Sequence, residues 1–214
     1  MVEIAGQKAA ENGPENVLES AIAAALGRRS IVLVGMMGAG KSAIGRRLAN
    51  RLGIPFVDAD AEIEKAADMK IPEIFETHGE PYFRNGEARV IARLLTESGP
   101  QVLATGGGAV MNEQTRAIIR INAVSVWLKA EFEVLMRRVK RRPNLDRPML
   151  KGDPAERLQQ LMRERESAYA EADVIVQSRE VPHDTIVDEI IAALARPLGL
   201  ATKISVRPAT EGKP

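Results

Sequence analysis

The sequence predicts an α/β protein of three layers, with helices covering both faces of a parallel sheet. Three observations carry that expectation. Apolar runs without polar alternation recur along the chain, as in "SIVLVG" at residues 30–35, and such runs suit strands covered on both faces. Helical patterns fill the intervals between them, and alternating strands and helices imply βαβ crossovers. The third is bulk: 214 residues, 45% apolar and 28% charged, suit one domain with a normal core.

Each element follows from local pattern. Residues 1–14 are polar, and "ENGPEN" reads as a loop. Over 15–26, Val17, Leu18, Ile22 and Leu26 fall near helical spacing, and Gly27 stands where the helix stops. The strand at 30–35 ends in Gly35. Ile44, Leu48 and Leu52 then recur every four residues, one apolar face of a helix that ends at Gly53. "IPFVDAD", 54–60, is a second short strand running into two aspartates. Residues 61–100 read as helix broken by Pro72, Gly79 and Pro81, with a long helix around 83–98. "QVLAT" (101–105), "AVSVWL" (123–128) and "DVIVQ" (173–177) are further strands, with helical pattern over 131–142, 154–171 and 184–195. Beyond Pro197 the periodicity ends and a mobile tail is expected. The chain therefore divides into an N-terminal extension with one helix (1–29), one domain (30–196) and a tail (197–214).

Composition excludes several classes of function. Thirty basic residues face 29 acidic ones, so no overall field draws the chain to nucleic acid or membrane. With four Phe, two Tyr and one Trp there is little material for a base-stacking surface. The absence of cysteine removes disulfides, thiolate metal sites and cysteine nucleophiles together, and His78 and His183 form no ligand-spaced cluster. No signal peptide or membrane-length apolar run stands out, so a cytoplasmic protein is expected. A monomer is expected too.

"GMMGAGKS", Gly35 to Ser42, fits G-x-x-x-x-G-K-[ST] at every position, with an apolar strand before it and a helical pattern after it. In that context backbone N–H groups converge on phosphate oxygens at a positive helix terminus. The arrangement predicts a nucleoside-triphosphate site made by Gly38, Ala39, Gly40, Lys41, Ser42 and Ala43. Lys41 would reach the β- and γ-phosphates, and the Ser42 hydroxyl would ligate Mg²⁺. Gly45, one turn in, would let the helix pack close to the sheet.

Such loops serve many chemistries, so the acceptor side has to decide. In "FVDADAEIEK", Asp58 and Asp60 stand at the strand edge where open α/β sheets bind ligands. Asp60 also suits a helix N-cap, and one residue can do both. In "PYFRNGEARV", Arg84 precedes Glu87 by three residues. Spacing alone favours an exposed helical pair over an arginine fork held to clamp a carboxylate. "VLATGGGAV" ends a buried strand in three glycines, where a plain turn needs only one.

Taken together, "LVGMMGAGKS", "FVDADAEIE", "IFETHGEPYFR..E", "LATGGGAV" and "RPML", in this order, resemble shikimate kinase over about residues 30–178. The resemblance implies a five-stranded parallel sheet, a small helical substrate-binding insertion (about 59–98) and a mobile lid (about 139–152). It implies transfer of the γ-phosphoryl group of ATP to the 3-hydroxyl of shikimate, with Mg²⁺. By the same likeness Asp60, Arg84, Gly106, Gly107, Gly108 and Arg165 bind shikimate, and Asp58 with Ser42 holds the metal. Arg165 lies in "ERESAY", where the family pattern has Pro-Leu in place of Ser167 and Ala168. The three glycines would bring main chain against the substrate, a Cβ at Gly107 standing where the ring sits. Lys41, Asp60 and the lid residue Arg147 make the catalytic set, and Arg147 also meets ATP. Arg138 and Arg141 are both candidates for the adenine. The basic run 137–147 leaves a nucleotide-dependent RNA-binding module as a rival, and another small-molecule kinase, acting on gluconate, as a second.

Overall fold

The structure, a computed structural model, describes residues 14–141 and 153–200. Five strands form one parallel sheet: β1 (Ser30–Val34), β2 (Phe56–Asp58), β3 (Val102–Ala104), β4 (Ala123–Lys129) and β5 (Val174–Gln177). Their spatial order is β2-β3-β1-β4-β5. All five residues of β1 are buried, as a central strand covered on both faces requires. Ile31 pairs with Val102 on one side and with Val124 on the other. The order of travel reverses about β1, which opens a crevice at the carboxyl ends of β1 and β3.

Helices α1 (Pro14–Leu26), α2 (Lys41–Leu52), α3 (Ala59–Ala67), α4 (Ile71–Glu97), α5 (Glu113–Asn122), α6 (Phe132–Lys140), α7 (Pro154–Ala170) and α8 (His183–Leu194) flank the sheet. On α2, Ile44, Leu48 and Leu52 are buried, and truncating a fully buried leucine such as Leu48 typically costs about 2–5 kcal/mol. A Cβ at Gly45 would stand 2.6 Å from the Phe56 ring and 3.0 Å from Leu33, so this glycine sets how closely α2 lies on β1 and β2. The N-terminal helix α1 buries Ile22 and Leu26, and Arg51 on α2 bonds both Glu19 of α1 and Asp188 of α8.

Several boundaries differ from the sequence expectation. The second strand is three residues rather than seven, because the Asp58 side chain accepts the Asp60 N–H and starts α3 at Ala59. Pro72 does not break a helix; it lies in the first turn of α4, where its missing N–H costs nothing. Only Gly79, at φ 80° and ψ 171°, interrupts that helix, and Pro81 begins its second half. Past Pro197, the Leu200 N–H reaches the Ala195 carbonyl at 2.8 Å, and Leu198 and Leu200 pack on the core. The part of the expected tail that lies at 201–214 falls outside the described residues, as do 142–152 of the expected lid.

Candidate active site

The phosphate loop leaves β1 at Gly35, where a Cβ would come within 2.7 Å of the Leu128 carbonyl of β4. Gly38 and Gly40 have φ of 83° and 97°, left-handed values that glycine adopts without strain. Gly40 caps α2 without a side chain, and no acidic residue stands in the first turn. The first-turn N–H groups are thus not covered by a cap, which makes this terminus an anion site. Lys41 folds back over the loop, its Nζ donating to Gly35 O at 2.7 Å and Met36 O at 3.0 Å. Burial lowers its pKa to about 8, against the attraction of Asp60 and Asp58 that holds the proton on.

Ser42 Oγ donates to Asp58 Oδ2 at 2.7 Å, joining α2 to the end of β2. Asp58, and not Asp60, is the N-cap of α3; Asp60 sits in the first turn. The Asp60 pKa is raised, first by burial and then by the neighbouring charge of Asp58, while Lys41 and Arg84 pull it back.

On α4, Arg84 donates to Glu87 Oε2 at 2.6 Å and to Glu80 Oε1 at 3.1 Å. The Glu87 side chain is only 2% exposed, so the pair is not a solvent-exposed helical pair. Burial raises the Glu87 pKa and Arg84 opposes the shift. Its second oxygen, Oε1, has no hydrogen-bond partner among the described residues.

The glycine triplet answers to these side chains. A Cβ at Gly106 would lie 2.5 Å from Glu87 Oε1 and 3.1 Å from Asp60 Oδ1; one at Gly108 would lie 2.6 Å from the Arg84 guanidinium. At Gly107 it would sit 3.4 Å from both Met37 N and Arg165 Nη1, in the space between the phosphate loop and α7. The outer glycines therefore make room for protein side chains. At the middle one the neighbours stand at ordinary contact distance, so a Cβ there would displace none of them.

From α7, buried Arg165 donates to Gly107 O at 2.9 Å, and the Tyr169 hydroxyl donates to the same carbonyl. Tyr169 stacks on Trp127, and burial pushes its pKa up to about 12. Arg84, Gly108 and Arg165 line a cavity of about 260 Å³ with Glu80, Leu161 and Glu164.

A family model described as shikimate kinase matches residues 37–195. The shikimate kinase of Rhodopseudomonas palustris is 64% identical over 177 residues, 82% of this chain and 86% of that one. That of Nitrobacter winogradskyi is 61% identical over 197 residues, 91% of each. The chain belongs to the shikimate kinase family. Among solved structures, the shikimate kinase from Acinetobacter baumannii in complex with shikimate shares 33% identity at TM-score 0.74, covering 90% of this chain and all of that one.

Within this member of the family, one arginine of the basic run is engaged with the phosphate loop, while Arg137, Lys140 and Arg141 are exposed. Arg138 Nη1 donates to Ser178 Oγ at 2.8 Å and to Gly38 O at 3.2 Å, and Arg137 pairs with Glu180 at 2.8 Å. Arg147, Arg142 and the rest of "RPML" lie outside the described residues. Ser178, Tyr169 and the free oxygen of Glu87 were not legible as site groups, since a lone serine or tyrosine carries no motif. A glutamate three residues past an arginine was visible only as that arginine's partner.

Ser42 and Asp58 offer two hard oxygen donors beside the anion site, a set that fits Mg²⁺ with the remaining positions left to water and phosphate. Among the described residues no group of three or more His, Asp or Glu could hold a metal alone. No helix of the described residues is long and apolar enough to cross a membrane.

Proposed function

We propose that the chain transfers the γ-phosphoryl group of ATP to the 3-hydroxyl of shikimate, giving shikimate 3-phosphate and ADP. One observation supports this above others. Arg84, steadied by two glutamates, opens with Arg165 on a cavity lined by Gly108, and Asp60, whose charge reaches Lys41, stands against Gly106. A small carboxylated, polyhydroxylated ring fits that chemistry: guanidinium groups for its carboxylate, carboxylates for its hydroxyls.

In the proposed reaction the loop from Gly38 to Ala43 holds the triphosphate. The shikimate 3-oxygen bonds to the γ-phosphorus, the bond from that phosphorus to the bridging oxygen breaks, and the electron pair stays with ADP. Asp60 orients the hydroxyl and accepts its proton, a task its raised pKa suits. The unpartnered Glu87 oxygen takes a hydrogen bond from a second ring hydroxyl, since a buried acceptor without a donor is costly. Lys41 meets charge gathering on the γ-phosphoryl oxygens, and positioning plus charge neutralisation is most of what this chemistry needs. Mg²⁺, held by Ser42 and through water by Asp58, supplies further neutralisation. For Arg147 the proposal rests on the sequence resemblance alone: replacing it with alanine lowers turnover on the order of 10³-fold, by analogy with arginine fingers.

A coupled ADP-release assay with ATP, Mg²⁺ and either shikimate or gluconate tests the assignment. ADP release follows shikimate, and Arg84→Ala raises KM for shikimate on the order of ten-fold or more while KM for ATP stays put. Equal turnover with gluconate, or equal loss of both affinities, would refute it.

A further inference from the structure

Helices α3 and α4 enclose a second hollow of about 300 Å³ that plays no part in the site above. Ile63 of α3 and Ile74, Phe83 and Val90 of α4 form its apolar floor, and Tyr82 stands half-exposed at its edge. Phe83 and Val90 share a face of α4 with Glu87, one turn apart, but neither Glu87 nor Arg84 lines the hollow. Arg89 and Arg93, one turn apart, reach its mouth. Among the described residues, Arg89 makes no ion pair. Arg93 meets only Glu62, at 3.8 Å with half its side chain exposed. Two like charges at this helical spacing repel, and Glu62 offsets only one of them.

An independent observation concerns Gly86, which lines the same hollow from the interior of α4. Glycine inside a helix weakens it relative to alanine. Gly45 has a packing reason for that cost, but a Cβ at Gly86 would meet nothing within 4 Å. No neighbour requires this glycine. What a side chain there would occupy is the hollow itself.

We propose that this hollow is a binding site for a small organic anion, a flat apolar body carrying one carboxylate. The body lies on Ile63, Phe83 and Val90 where Gly86 leaves room, and the carboxylate bridges Arg89 and Arg93. Volume, floor and paired cations match what small-ligand pockets offer. Because α3 begins beside Asp60 and α4 carries Arg84, an occupant sets their separation and so alters KM for the acceptor. That consequence rests on the proposed function; the binding does not.

The test titrates 3-phenylpropionate into the ¹⁵N-labelled full chain. The Gly86, Ala66 and Ala67 amides shift saturably, with Kd on the order of 1 mM for a ligand of this size. The neutral alcohol 3-phenylpropanol binds about ten-fold more weakly, and the Arg89→Ala, Arg93→Ala double variant loses that preference. Gly86→Leu abolishes the shifts. Gly86→Ala weakens them while raising the melting temperature, which keeps the test intact should the larger variant not fold. Shifts centred on Arg84, Gly108 and Arg165, an equal response to the alcohol, unchanged binding in the Gly86 variants, or no saturable shift overturns the proposal.

Discussion

Ser42 and Asp58 are joined by a 2.7 Å hydrogen bond, and the same carboxylate accepts the Asp60 N–H that opens α3. Asp58 thus has a capping duty that needs only an acceptor oxygen and a metal-side duty that needs charge. Substitution separates the two. Asn caps as well as Asp, so Asp58→Asn leaves unfolding free energy within about 0.5 kcal/mol, whereas Asp58→Ala loses about 1 kcal/mol. Both raise the Mg²⁺ concentration for half-maximal turnover on the order of ten-fold. Mg²⁺ titration beside urea denaturation checks this, and a parental Mg²⁺ response in Asp58→Asn would leave the residue as a cap alone.

The glycine triplet makes a graded prediction. Alanine at Gly108 displaces the Arg84 guanidinium, with a clash at 2.6 Å, and alanine at Gly106 drives into Glu87. Both variants disturb the arginine–glutamate pair before any ligand binds, and lower stability along with affinity for shikimate. Alanine at Gly107 meets only ordinary contacts at 3.4 Å. It melts like the parent yet loses affinity for shikimate selectively, because its methyl group stands between Arg165 and the phosphate loop, where the proposed ring lies. Melting curves with KM for both substrates distinguish the three.

Legibility in the sequence followed how local the cause was. The five strands and the phosphate loop were readable because burial on both faces and backbone anion binding each leave a contiguous signature. The cap was expected at Asp60 and falls to Asp58, since which of two aspartates caps depends on where the strand releases the chain. The outer glycines were expected at the ligand, and their closeness to Glu87 and Arg84, about twenty residues earlier in sequence, was not foreseen. Such contacts exist only after the turn that follows β3 has folded against α4. Ser178 was invisible for the same reason: its partners are Ala39 and Arg138, on two other elements.

That serine carries its own prediction. Its hydroxyl donates to Ala39 O at 2.7 Å and accepts from Arg138 at 2.8 Å, while the residue is 2% exposed. Ser178→Ala strips one buried carbonyl of a donor and leaves Arg138 held by Arg179 O at 2.8 Å and by longer bonds to the loop. The expected loss is about 1–3 kcal/mol of stability, the cost of orphaning a buried polar group. KM for ATP rises as the loop loosens, and KM for shikimate does not. Denaturation and steady-state kinetics report the two effects separately.

The pH dependence ties the two substrates to two groups. Lys41 in the free protein loses its proton as pH rises through about 8, because burial disfavours the charge. Its cation helps hold the triphosphate, so kcat/KM for ATP falls above that pH, approaching ten-fold per pH unit for one essential proton. Bound triphosphate favours the charged form, so the corresponding fall in kcat lies at higher pH. On the acid side, Asp60 accepts a proton only when ionised, and burial and Asp58 both raise its pKa. Turnover therefore fails, as pH falls, earlier than an ordinary aspartate would dictate. Asp58→Asn at saturating Mg²⁺ removes a like charge from Asp60 and an attractive one from Lys41. Both pKa values drop, and the whole bell moves toward acid. Movement of one limb alone, or movement toward alkali, would show that Asp58 does not couple the two groups.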